Sequence, residues 1–92
     1  MVAAWNDDQE VDATLRATLV GELALPAEQV AGFDEATPLL GALPEFDSMA
    51  VAGLLTALEE RLGILIEDHE VDAETLETYG KLLTFLRAKA LR

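Results

Sequence analysis

The sequence predicts an all-α fold: a four-helix bundle with a long first loop and a short third helix. Three observations carry this expectation. Apolar residues recur at helical spacing in three separate stretches. Each stretch is bounded by Asp, Ser, Thr, Gly or Pro where helix caps and stops belong. No stretch alternates with the period of two that a half-buried strand needs, and there is no internal repeat.

The first helix reads over residues 8–23. Asp7 or Asp8 is placed to cap it, acids crowd its first turn, and Val11, Leu15, Leu19 and Leu23 form its stripe. Leu25-Pro26 stops it, because the residue before proline is pushed out of the helical region. Residues 24–47 form a long connection with prolines at 26, 38 and 44. Such a loop is unusual in so small a domain. It is held by apolar anchors at Val30, Phe33, Leu39, Leu40 and Leu43, with a short helical turn around Ala27 to Val30.

The clearest helix spans residues 48–62. Val51, Leu54, Leu55, Leu58 and Leu62 lie on one face, and Gly63 is placed as the residue after its C-cap. Ile64-Leu65-Ile66 is an extended apolar link, and Glu67-Asp68-His69-Glu70 a solvated acidic segment. Asp72 is placed to cap a short third helix through Thr75 to Glu77, with Val71 and Leu76 as a hydrophobic staple. Thr78 caps the last helix, whose stripe is Tyr79, Leu82, Leu83, Leu86 and Ala90. Arg87, Lys89 and Arg92 hold half of the basic residues at the end where the helix dipole favours cations. Residues 1–7, with Trp5, read as a mobile tail or an apolar plug.

The 92 residues make one domain, 51% of them hydrophobic, which is enough for one core. Eighteen acids against six bases leave a formal charge of −12, which repels nucleic acid and anionic membranes and favours partners with basic patches. The absence of cysteine excludes disulfides, thiolate nucleophiles and cysteine metal sites. The longest apolar run, Met49 to Leu55 counting Gly53, is far too short to span a membrane. The acidic N-terminal stretch lacks the apolar core of a secretory signal. The chain reads as a free-standing, monomeric, cytoplasmic protein.

Asp47-Ser48-Met49 carries the functional signal. A serine at a helix start lies where backbone N–H groups are unpaired and the dipole is positive, so a phosphate is well placed there. The ordinary reading of such a pair is an N-cap and nothing more. Other motifs are weaker. From Asp68, carboxylates fall at the first, third and fifth positions of a calcium loop, but Ala73 and Tyr79 stand where glycine and glutamate are required. That leaves loose, exchangeable divalent binding at most. His69 is the lone histidine, so no catalytic triad can be assembled around it.

The order of elements resembles the acyl carrier protein family over essentially the whole chain: acidic amphipathic helix, long loop, Asp47-Ser48-Met49, amphipathic helix, apolar link, short helix, last helix. Thr37-Pro38-Leu39-Leu40 and Glu77-Thr78-Tyr79-Gly80 are similar to the family's loop and last-helix entry. Met49 replaces the family's usual leucine. The resemblance implies a non-catalytic carrier with a 4′-phosphopantetheine arm on Ser48, taken from coenzyme A by a phosphopantetheinyl transferase that needs magnesium. Asp47 would help present the serine. An acyl ligase or acyltransferase and downstream acyl-processing enzymes would be its partners, in a lipid, polyketide or exopolysaccharide-associated pathway. Residues 40–49 also resemble small stand-alone carriers of bacterial exosortase and exopolysaccharide systems.

The family usually places acids on the first turns after the serine, but here those turns hold Met49, Ala50 and Gly53, and the nearest downstream acids are Glu59 and Glu60. These five residues are the expected partner-binding face. No Gly-Gly-x-Ser approach precedes Ser48, which weighs against a peptidyl carrier; a D-alanyl carrier stays open. The alternative of another class is an acidic helical interaction module whose Ser48 is never modified.

Overall fold

The computed structural model describes residues 8–91, so the Asp7 cap, the Trp5 tail and Arg92 lie outside the described residues. Its helices are α1 (Asp8–Leu23), α2 (Ala27–Ala31), α3 (Ser48–Leu62) and α4 (Tyr79–Ala90), with a 3₁₀ turn at Asp68–Glu70. There is no strand among the described residues; Pro38 and Thr78 form one isolated antiparallel bridge. α1 packs against each of the other three helices.

The helices form where the stripes and caps predict. Val11, Leu15, Leu19 and Leu23 of α1, Leu54, Leu58 and Leu62 of α3, and Tyr79, Leu82, Leu83 and Leu86 of α4 are buried together. Removing each leucine from water contributes roughly 2 kcal/mol against the entropy of ordering the chain. Thr78 Oγ1 accepts from the Lys81 N–H at 3.2 Å at the head of α4. Gly63 takes the left-handed conformation, φ 66°, that closes α3. α1 closes through Ala24 at φ 56°, where a side chain costs about 1 kcal/mol.

Two expectations about the connections change. Thr75 to Glu77 does not extend into a helix. Asp72 Oδ1 does accept from the Thr75 N–H at 2.9 Å, and Leu76 N–H reaches the Asp72 carbonyl at 3.3 Å. That single turn then stops, because the carbonyls of Leu76 and Glu77 are claimed across the molecule by the N–H groups of Leu40 and Leu39. The same pairing corrects Leu40, which is 39% exposed while Leu39 is buried. Phe46 supplies the missing anchor and is buried two residues before Ser48.

The crossing of the long loop over α4 requires Gly80. A Cβ there would lie 2.7 Å from the Glu35 carbonyl oxygen, to which Gly80 N–H also donates. Nearby, Arg16 bonds the carbonyls of Val30, Ala31 and Phe33 and thereby ties the start of the loop to α1.

Candidate functional site

Phe46 sets the position of the site. Its ring is buried and its N–H bonds the Leu43 carbonyl at 3.0 Å, so the chain leaves the core just before α3. Asp47 follows in extended backbone as the N-cap, and its Oδ1 accepts from the Ala50 N–H at 2.8 Å. Ser48 is the first helical residue and is exposed. The leading N–H groups of α3 have no acceptor within the helix, and the dipole adds positive potential at the serine.

A groove of about 460 Å³ begins at Ser48. One wall is a stripe of α3: Val51, Ala52, Leu55, Thr56 and Glu59. The facing wall is formed by Ile66, Glu67, Asp68, Val71 and Leu76. Along the α3 wall the lining runs from apolar Val51, Ala52 and Leu55 to polar Thr56 and Glu59, while Glu67 and Asp68 add exposed carboxylates to the facing wall. A larger open hollow of about 630 Å³, beside Glu35 and the start of α4, does not include Ser48. The chemistry of a helix-start serine therefore points to the smaller groove.

The expected partner-facing residues separate into two kinds of place. Met49 projects beside Ser48 and is 85% exposed. Gly53 is exposed, and a Cβ there would meet only Glu22 Oε1, at 3.5 Å. An acid from α1 thus stands where α3 itself has none. Glu60 is exposed, but Ala50 is half-buried against the core. Glu59 is also half-buried, and its Oε2 accepts from the Ile66 N–H at 2.7 Å. That contact was not visible in the sequence, nor was Glu22; both depend on how separate segments come together. His69 is exposed. No group of three His, Cys, Asp or Glu side chains converges to hold a metal among the described residues.

The structure is thus a small acidic helical bundle with an exposed serine at one helix start and a groove beside it. No protein-family model matches the chain, and no curated protein matches it significantly. A solved structure does: a holo acyl carrier protein from Nitrosomonas europaea is 39% identical, with a TM-score of 0.76 over 87% of this chain and 94% of that one. The chain belongs to the acyl carrier protein family.

Proposed function

We propose that this chain carries acyl groups as thioesters on a 4′-phosphopantetheine arm attached to Ser48 and presents them to partner enzymes. The observation that carries this is the exposed Ser48 hydroxyl at the head of α3, with Asp47 folded as its cap and a groove beginning beside it. The similar Nitrosomonas europaea protein was solved in its holo form, which supports the same modification here.

The residues present fit such a group. A phosphodiester on Ser48 would lie against unpaired N–H groups at the positive end of α3. The groove offers an apolar start for a chain returning toward the protein. In the attachment step, Ser48 Oγ forms the new bond to the pantetheine-bearing phosphorus of coenzyme A. The pyrophosphate bond breaks, 3′,5′-adenosine bisphosphate leaves, and the serine proton passes to a base of the magnesium-dependent phosphopantetheinyl transferase. The arm supplies the thiol that forms the thioester; this chain supplies position and recognition and does no catalysis itself.

Docking beside Ser48 rests on Met49 and the small residues around it. Glu60 acts only at a distance, about 18 Å farther along the axis at 1.5 Å per residue. A dedicated cytoplasmic acyl ligase or acyltransferase fits this surface better than enzymes steered by an acidic first turn. A D-alanyl cargo would use the same serine.

The test is to incubate the folded protein with coenzyme A, magnesium and a broad-specificity transferase and record its intact mass. One phosphopantetheinyl adduct, lost in Ser48→Ala, is expected. No adduct with several transferases would leave an interaction module with an unmodified serine.

A further inference from the structure

Resting on the carrier reading, we propose that Glu59 is a specificity-determining residue: its carboxylate bridges the two walls of the Ser48 groove and sets the length of acyl chain the protein holds. The groove runs along the α3 stripe from Ser48 through Val51, Ala52 and Leu55. Glu59 is the last α3 residue on that stripe, and Ile66 belongs to the facing wall. The Glu59 Oε2 bond to the Ile66 N–H, 2.7 Å and partly buried, spans from one wall to the other. On the α3 wall, a chain tip entering beside Ser48 passes Val51, Ala52 and Leu55 before it reaches a carboxylate already committed across its path.

Displacing that carboxylate would leave the Ile66 N–H without its acceptor in a part-buried place, which is unfavourable. Burying methylenes against a charged oxygen gives no compensating gain. The bond therefore stops a chain rather than yielding to it. It also pins the Ile64-Leu65-Ile66 link to α3 at the Glu59 end of the groove. Shortening that side chain opens the groove by about one helical turn, ~5.4 Å.

The experiment loads Ser48 with butyryl- through myristoyl-phosphopantetheine, using the matching acyl-coenzyme A thioesters and a permissive transferase. Wild type, Glu59→Gln and Glu59→Ala are compared by intact mass and by melting temperature. In wild type the melting temperature should rise with each added methylene and then stop rising. Glu59→Gln keeps an oxygen for the Ile66 N–H and should stop at the same length. In Glu59→Ala the rise should continue for roughly four more methylenes, about one further turn. In wild type, a ¹³C-labelled terminal methyl at the stopping length should show nuclear Overhauser contacts to the Glu59 side chain.

An unloaded Ser48 in folded wild type would remove the carrier reading and the bridge with it. Loading without any rise in melting temperature would leave the carrier and overturn the role of the groove and of Glu59. The same stopping length in all three proteins, or a chain tip that never contacts Glu59, would overturn the role of Glu59 alone.

Discussion

Tyr79 is the residue on which the packing of three segments converges. Its ring is almost fully buried, with the edge of Phe33 at a centroid distance of 5.8 Å and the Arg16 guanidinium 4.7 Å from its centre. Its hydroxyl donates to Asp12 Oδ1, while Arg16 Nε donates to Asp12 Oδ2 at 3.0 Å. Burial alone would raise the Asp12 pKa, but the Tyr79 and Arg16 hydrogen bonds and the charges of Arg16 and Arg87 outweigh it, so the net shift is downward. A lowered carboxylate pKa means stability that is present above the ordinary aspartate value and lost as pH falls through the folded one. Acidification also relieves the self-repulsion of the other acids, which acts in the opposite direction. Comparing wild type with Asp12→Asn in denaturant titrations removes most of that shared effect. The gap between them should be largest near neutrality and shrink at pH values below the aspartate range; a gap independent of pH would assign Asp12 a purely steric role. Arg16→Lys should cost on the order of 2 kcal/mol, because an ammonium cannot reproduce the planar fork that serves Asp12 and three backbone carbonyls at once. An unchanged urea midpoint would show that water replaces those bonds without loss.

At the scale of elements, α3 was legible in the sequence because everything that defines it is local: the Asp47 cap, the leucine stripe and Gly63. The Thr75–Glu77 turn and the exposure of Leu40 were not, since the backbone pairing of Leu39 and Leu40 with Glu77 and Leu76 joins segments far apart in sequence. The site divides in the same way. Asp47 and Ser48 could be read from a dipeptide at a helix start, whereas Phe46, Glu22 and the Glu59–Ile66 bond acquire their places only through folding. The structure also sharpens a test of the docking turn. Ala50→Asp puts a carboxylate in the first turn of α3, where the dipole favours it. Gly53→Glu gains helix propensity of about 1 kcal/mol but faces Glu22. The double variant should load better with enzymes steered by acidic carriers and worse with a dedicated ligase. Adding Glu22→Gln should recover stability lost to repulsion while keeping the new charge. If loading by both enzyme classes is unchanged, Ala50 and Gly53 are neutral positions and Met49 alone remains as the apolar contact beside Ser48.

The whole molecule carries twelve more negative than positive charges, and its described bases are already engaged. Arg16 pairs with Asp12, Lys81 with Glu74 and Glu77, Arg87 with Asp8 and Lys89 with Glu70, while Arg61 donates to the buried Thr18 hydroxyl at 3.1 Å. These pairs hold particular contacts but leave most acids uncompensated. The exposed ones, such as Lys81–Glu77, contribute little to stability in any case. Salt therefore has two opposing effects. It weakens the few favourable pairs, and it screens a larger number of repulsions over a Debye length of about 10 Å at 0.1 M. Repulsion should dominate at this charge imbalance, so moderate sodium chloride should raise the melting temperature. Magnesium separates screening from a built site. With no converging cluster of three metal-ligating side chains among the described residues, it should act through diffuse neutralisation of carboxylates. Its effect should be graded with concentration and should diminish when sodium chloride already screens the surface. Thermal melts across both salts, with calorimetric titration of magnesium, decide the point. A saturating stoichiometric magnesium transition that survives high sodium would require a specific site formed by groups that rearrange to bind it. A melting temperature indifferent to both salts would instead mean that the existing pairs offset the excess acids.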